Sequence, residues 1–599
     1  MRALAQAEAL ERAGRTSDAA AVYGALLQHF PAHPGLLNSL ALLMKGQGKL
    51  VEAEALFRSA IAAAPGDAAL HNNIANLLRR AVRLAEAEEH HRKALALKPN
   101  YPEAAYNYGL TLEEMGRADA ALAAHAQAVQ LRPGYAQALT RIGAIRMQQD
   151  RSEDALGALD RAVAAEPSSF DANYYRGWVL ARLERFDEAL LGLGRAAAIA
   201  PERIEALLAI ANTLRDAQRY DEALAAYWKI VERQPAHVDT HIEIAKLTHV
   251  QGRADVLKSF EYARTRLGDQ PDLLLAEARL RFRRDELAEA EGLLRRAAIL
   301  APGRGDIAGF LGTVLANRRK FDEAAAFFRT AIAAEPDSAF HRHQFGFALL
   351  SAGAAPDALS QFEAALVRGP FDQLALGGLA LALRQEHDGR YGDLVDFGRY
   401  VRTYEIETPA GYGDLGSFNL ALAGELNRLH TSKVEPLEQT LRGGTQTIGR
   451  LFAQPAGPIG GVRRSIDAAI VDYIKSVPDD AAHPLSARKS DGFSYAGSWS
   501  CRLRSAGFHT NHVHPQGWIS SAYYASLPGV VADEAGKQGW FKLGESNLAL
   551  GERDCPERLI KPEVGLLVLF PSFYWHGTVP FTAPEDRLTV AFDVVPGRA

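Results

Sequence analysis

Cysteine is almost missing from this 599-residue chain: Cys501 and Cys555 are the only two, far apart and without a CxxC partner. A disulfide framework or a zinc ribbon is therefore not expected, and a reducing compartment fits. No run of about 18 apolar residues occurs, so no membrane span is expected. The first residues, "MRALAQAEALERAGRTSDAAAVYG", lack the apolar stretch of a signal peptide. Charge of one sign is not gathered into a block, and the net charge is only −5. Neither nucleic acid nor an anionic membrane is suggested as the main partner. What remains is an ordinary globular composition, 48% hydrophobic and 23% charged. It points to a soluble, cytoplasmic protein with material for several cores.

Internal repetition dominates the first two thirds. Prolines recur every 34 residues at Pro31, Pro65, Pro99, Pro133, Pro167, Pro201 and Pro235; the spacing slips to 36 at Pro271 and 31 at Pro302, then returns to 34 at Pro336 and Pro370. Small residues keep the same phase. Ala60, Ala94, Ala128, Ala162 and Ala196 stand five before their prolines, and Ala53, Ala87, Ala121, Ala155 and Ala189 stand twelve before. Eight before lies a bulkier side chain, such as Phe57, His125, Leu159 or Leu193, while Gly109, Gly143 and Gly177 lie 24 before. Small residues at fixed offsets let two helices approach, the bulky one fills the gap, and proline ends the second helix.

The pattern resembles the tetratricopeptide repeat, a helix–turn–helix unit, and about eleven copies cover roughly residues 1–385. The resemblance implies a superhelix whose concave face holds an extended peptide or a partner protein. Asn73 and Asn107 lie 26 residues before their prolines and Asn38 lies 27 before. They look like a short asparagine ladder that would clamp a peptide backbone, unless they are simply solvated polar residues. The ladder breaks at Arg141 and Tyr175. Whether the repeats also form a homodimer stays open.

After Pro370 the alanine framework fades, and residues 386–414 read as a linker. Helices are expected in "SFNLALAGELNRLH" and "GGVRRSIDAAIVDYIKSV", within a supporting region over 415–480; the second puts Val462, Ile466, Ala469, Ile470 and Tyr473 on one face. Over 490–599 the period switches to two in "SWSCRLR", "WISSAYYASL", "GWFKLG", "VGLLVLF" and "LTVAFDVV". An α-solenoid followed by several short strands implies a multidomain α + β protein, ending in a small sandwich or jelly roll.

That last region holds "HTNHVHPQGW" at 509–518. His512 and His514, at i and i+2 of an extended segment, point the same way, as chelation of one ion requires. His576 follows the strand "VGLLVLF", and Arg587 opens the last strand eleven residues later. A hairpin bend at "TVPFTAPED" would set His576 and Arg587 on adjacent strands. Trp499, Trp518, Trp540 and Trp575 read as packing.

This order resembles the iron(II)/2-oxoglutarate-dependent oxygenase superfamily, with its double-stranded β-helix. It is similar above all to the family found fused to tetratricopeptide repeats, through "RGGTQT", "GSWS", "HVHP" with "YY", a "FPS" strand ending in histidine, and an arginine strand, over about 415–599. The resemblance implies Fe(II), 2-oxoglutarate and O2 as the reagents, and hydroxylation of a protein or peptide side chain. His512, His514 and His576 would be the iron ligands. Arg587 would take the distal carboxylate of 2-oxoglutarate, with Thr589 and the Tyr524 hydroxyl beside it. Arg442, Thr445 and Gln446 would line the mouth and touch substrate or cosubstrate.

His514 departs from most of the superfamily, which carries Asp or Glu there. It is either a third imidazole ligand or a residue orienting His512, and His509 with Asn511 offers a shifted register. Two other readings stand beside the oxygenase: a non-catalytic scaffold with a degenerate metal-binding jelly roll, and a cupin-type metalloenzyme that does not use 2-oxoglutarate.

Overall fold

The structure is a computed structural model that describes residues 2–432, 434–435, 440–447, 450–453 and 456–597. The chain forms two compact units, residues 1–217 and 218–599.

In the first unit, helices of about 13 and 14 residues alternate, from Arg2–Arg12 and Thr16–His29 through Phe170–Arg182 and Phe186–Ile199 to Ile204–Asp216. The phased residues explain the pairing. A Cβ built on Gly109 would lie 2.4 Å from the His125 ring, one on Gly143 2.4 Å from Leu159 Cγ, and one on Gly177 2.6 Å from Leu193 Cγ. The glycine 24 residues before Pro133, Pro167 and Pro201 is thus the hole for the knob eight before the same proline, and the side chains at 125, 159 and 193 are fully buried. Each second helix ends one residue short of its proline, as at Leu50–Ala63 before Pro65.

The second unit continues the pattern from Tyr220–Arg233 to Ala355–Arg368, where Gly312 receives Phe328 and Gly346 receives Phe362. One further helix, Gln373–Gln385, turns its surface to the strands that follow. Among the described residues nine strands form this part: β1 (Arg402–Glu405), β2 (Leu441–Gln446), β3 (Phe493–His509), β4 (Ile519–Ser526), β5 (Phe541–Leu543), β6 (Arg558–Ile560), β7 (Leu566–Pro571), β8 (His576–Thr578) and β9 (Arg587–Pro596). They make a six-stranded sheet in the order β1-β7-β4-β9-β3-β2 and a three-stranded sheet in the order β6-β5-β8, with every pair antiparallel. This is the expected two-sheet jelly roll.

Two expectations change. The segment expected to be a linker supplies β1, an edge strand pairing with β7 over Arg402–Glu405 and Leu566–Leu569. And β8 pairs with β5 in the small sheet, whereas β9 lies between β4 and β3 in the large one. His576 and Arg587 therefore sit on facing sheets rather than on adjacent strands, because the bend after β8 crosses the sandwich instead of closing a hairpin.

Strand parity assigns the two faces of the large sheet. Leu588, Val590, Phe592 and Val594 share one buried cluster with Phe418, Leu422 and Leu426 of the helix Leu415–Leu429 and with Ile466, Ile470 and Tyr473 of the helix Gly457–Ser476. The odd-numbered residues of β9, from Arg587 to Asp593, face the other way, toward the small sheet. His430, just past the first of these helices, fastens β2 to β3 by contacting Thr445 Oγ1 at 2.9 Å and Ser500 Oγ at 3.1 Å.

Two consequences can be measured. Gly143→Val would push a branched side chain into Leu159 and destabilise the first unit by about 1–3 kcal/mol. Adding Leu159→Ala should recover part of the lost urea midpoint, read by circular dichroism. Burial, with Arg502 and Arg504 nearby, lowers the pKa of His430 from its ordinary 6.5 to about 4. The folded state resists that proton, so its stability is intact above pH 6.5 and is lost as pH falls toward 4, by up to about 3 kcal/mol. His430→Gln should flatten this limb of a stability–pH curve.

Candidate active site

Two reciprocal backbone hydrogen bonds start the site. His512 N–H donates to the His576 carbonyl at 2.9 Å and His576 N–H donates to the His512 carbonyl at 3.0 Å. They fix the segment around residue 512 along the free edge of β8. His514 N–H donates to the Ser572 carbonyl at 2.9 Å, which holds the extended stretch two residues further on. Gly577 is needed beside this bridge, because a Cβ there would lie 2.3 Å from Asn511 Oδ1.

The three imidazoles converge. Ring centroids are 4.2 Å apart for His512 and His576, 4.9 Å for His514 and His576, and 5.0 Å for His512 and His514. One ligand atom from each lies within 4.8 Å of the others, and His512 Nε2 stands 3.0 Å from His514 Nε2. Two cis ligands on bonds of about 2.1 Å would stand about 3.0 Å apart. Each Nδ1 is occupied: on the Thr510 carbonyl at 2.7 Å for His512, on Asp593 Oδ1 at 2.6 Å for His514, and on the Tyr574 carbonyl at 2.9 Å for His576. These partners select the tautomer that leaves a lone pair on Nε2, which is how metal-binding histidines are oriented. Burial, with His514 close by, takes the His512 pKa down to about 3, and burial with both neighbouring imidazoles holds His576 well below the usual range. The neutral rings of His512 and His576, facing one another in this way, suit a cation between them.

Asp593 is the site residue the sequence reading missed. Its carboxylate accepts from His514 and, at 2.6 Å, from the Ser520 hydroxyl, which also contacts Ser572 Oγ at 2.8 Å. A Cβ on Gly517 would strike Ser572 Oγ at 2.2 Å, so glycine is required where the chain passes this network. A carboxylate thus stands one hydrogen bond behind the three histidines. Its signal was available: Asp593 is the one acid in the apolar strand "RLTVAFDVV".

The second part of the site lies on the same face of the large sheet. Register places Gln446, Cys501, Thr589 and Tyr524 in one row across β2, β3, β9 and β4. Arg587, two residues before Thr589, is only 2% exposed and stands over the Tyr524 ring at 4.9 Å. Beyond the contact between the two side chains, its Nε and the Tyr524 hydroxyl are buried with no hydrogen-bond partner among the described residues. Burial lowers the Arg587 pKa, partly opposed by Tyr524 and Cys501, and burial raises that of Tyr524. Among the described residues no carboxylate forms an ion pair with this guanidinium. A buried cation without a counter-ion is costly, and an anionic ligand would relieve it.

Other residues fall as follows. Arg442 follows Leu441 in β2 and so takes the opposite side of the strand, its Nη1 donating to the Leu441 carbonyl at 2.9 Å. The glycines after it form a bulge: Gly443 has φ +64°, and a Cβ on Gly444 would meet the Arg502 carbonyl oxygen at 2.2 Å. Trp499, expected to be core, stacks beside His514 at 5.8 Å. Trp518 and Trp575 are buried, and Trp575 Nε1 donates to the Gly377 carbonyl at 3.0 Å. Asn73 and Asn107 are in the first unit, where Asn73 donates to Asn38 at 2.9 Å and Asn107 to Asn72 at 3.0 Å. The asparagines tie successive repeats to one another.

A repeat array followed by a jelly roll with a three-histidine pocket defines the class of protein, and comparison with known families agrees. Residues 497–593 match the family described as "Putative 2OG-Fe(II) oxygenase". Residues 4–68, 140–204 and 275–339 match one tetratricopeptide repeat model and residues 102–135 another. The chain thus carries tetratricopeptide repeats and a C-terminal domain of that oxygenase family. No curated protein matches it. Solved structures similar to part of the chain include YrrB, a TPR protein with an unusual peptide-binding site, at 24% identity, covering 31% of this chain and 95% of that one with a TM-score of 0.28. MamA is 20% identical over 27% of this chain and 94% of its own, with a TM-score of 0.26. Pseudomonas aeruginosa pilF is 19% identical over 35% and 94%, with a TM-score of 0.32.

Metal binding tests the histidine geometry directly. His576→Ala should abolish stoichiometric uptake of Mn(II) in equilibrium dialysis, and Asp593→Asn should weaken it by about 10–100-fold while leaving the fold intact.

Proposed function

We propose that this chain is an iron(II)- and 2-oxoglutarate-dependent oxygenase that hydroxylates a side chain of a protein or peptide held by its repeats. The observation that carries the reading is the buried Arg587, which has no ion-pair partner among the described residues, on the face that also bears the His514 partner Asp593. A metal pocket alone would serve a cupin-type enzyme or a structural site, but neither needs a fixed buried cation facing the cavity.

His512, His514 and His576 would hold the metal on one side, leaving positions open for cosubstrate and oxygen. Iron(II), when bound there, supplies the redox chemistry by which 2-oxoglutarate, O2 and a C–H bond become succinate, CO2 and a C–OH group. The residues do the rest. Arg587 pairs with the distal carboxylate, and the Tyr524 hydroxyl donates to it. Thr589 and Gln446 border the same row. Asp593 keeps the His514 Nδ1 proton in place. Phe541 and Phe570, with ring centroids 5.7 and 4.6 Å from that of His576, exclude water on its side. The choice of a polypeptide substrate rests on the repeats, whose family is one of protein-binding modules. Two free cysteines fit a reducing, cytoplasmic setting.

The test is succinate formation from 2-oxoglutarate by the iron(II)-loaded protein when oxygen is admitted, first without added substrate. His512→Ala should eliminate it, and Arg587→Ala should raise KM for 2-oxoglutarate by at least about 30-fold. Absence of both succinate and 2-oxoglutarate binding in the wild type would leave the scaffold reading.

A further inference from the structure

His509 ends β3, opposite Leu441 of β2, and is neither a member of the metal-ligand cluster nor bound by any other described side chain. Its ring centroid lies 6.1 Å from that of His512. Leu441, on the same side of the strand pair, packs with Cys501 and Leu503, so His509 shares the face that carries the Gln446–Thr589–Tyr524 row. Burial, with His512, Arg587 and His514 nearby, holds its pKa well below the usual range. It lies on the face shared by both halves of the site.

Its bonding differs from that of the three convergent histidines. Each of those has Nδ1 anchored on a carbonyl or carboxylate, which aims Nε2 at the shared centre. No such anchor fixes His509. A neutral imidazole always carries one N–H donor, and among the described residues no side chain accepts from it; the half-buried ring shares its face with the buried Arg587 and Tyr524. A donor placed on the same face as a buried guanidinium that has no carboxylate partner among the described residues suits a ligand rich in acceptors.

We propose that His509 hydrogen-bonds the carboxylate of the 2-oxo acid that lies nearer the histidines, making it a cosubstrate-binding residue rather than a fourth metal ligand. This rests on the oxygenase reading above. It requires a donor at position 509, not a charge, so an amide of similar reach should serve in its place.

The test is calorimetric titration of 2-oxoglutarate into the full-length protein loaded with Mn(II) under argon. His509→Leu should weaken 2-oxoglutarate about tenfold, the scale of one lost hydrogen bond to a charged group, with Mn(II) affinity unchanged. His509→Gln should stay within about threefold of wild type. Unchanged 2-oxoglutarate affinity in His509→Leu overturns the assignment, and so does a large loss of Mn(II) affinity, which would make His509 a ligand. A wild-type protein that binds Mn(II) but no 2-oxoglutarate removes the oxygenase reading and this inference with it; a wild type that binds both, with an indifferent His509→Leu, removes the inference alone.

Discussion

The backbone bridge between residues 512 and 576 is the constraint on which the site depends. Side chains of two segments 64 residues apart in sequence can share one ion only if their backbones are fixed within a few ångströms and in one register. Two reciprocal hydrogen bonds do this in the way a sheet does, by setting a pair of Cα positions opposite one another. Because side chains alternate, a slip of one residue would turn either imidazole away from the other. Gly577 belongs to the same constraint, since the Asn511 side chain occupies the space of its absent Cβ. From this bridge the position of His514 follows two residues on, and Asp593 follows from His514.

The large sheet solves a different problem with the same alternation. One face must be dry enough to hold helices, and the other must present polar groups without solvating them. Strand β9 meets both demands within ten residues: even positions join the cluster beneath the two supporting helices, and odd positions supply Arg587, Thr589 and Asp593. The adjacent pair Tyr523 and Tyr524 divides in the same way. Tyr523 donates to Asn419 of the helix Leu415–Leu429 at 2.7 Å, while Tyr524 lies under Arg587. Two like residues side by side thus have unlike roles, decided by parity alone.

Much of this was legible from the residues. The 34-residue phase gave the helix pairs because each knob and hole recur at fixed offsets, and local periodicity is what a short-range reading captures. The helices around residues 415–476 and five of the strands were legible for the same reason. The three histidines, Arg587 and Tyr524 were legible as an ordered series of motifs. Sheet membership was not: the turn after His576 has the composition of a hairpin bend, and only pairing across the sandwich shows that it changes sheets. Asp593 was missed because, although it is the one acid in an apolar strand, its role depends on a partner 79 residues away. The segment 402–405 was missed because four residues are too few for a periodic signal, and its place at the edge of the large sheet is set by β7.

The last repeat helices and the histidine cluster also share a buried element. Val513, between two of the converging histidines, and Trp575, next to the third, lie in one buried cluster with Phe362, Leu381 and Ala382 of the last repeat helices. A Cβ on Gly377 would come within 3.1 Å of both Val513 Cγ1 and the Phe573 carbonyl oxygen, and Trp575 Nε1 donates to the Gly377 carbonyl. Alternation makes this unavoidable: if His512, His514 and His576 point into the cavity, their chain neighbours must point out of it, and here the outward side is occupied by the helix Gln373–Gln385. Tyr220 and His249, earlier in the same unit, reach the segment that leads into β2, through Thr431 Oγ1 at 2.9 Å and the Glu435 carbonyl at 3.0 Å. The last repeats therefore form part of the wall of the jelly roll. A shift of the helix Gln373–Gln385 by a fraction of an ångström would be felt first at the backbone of residues 513 and 575, because close-packed interfaces transmit displacement rather than absorb it.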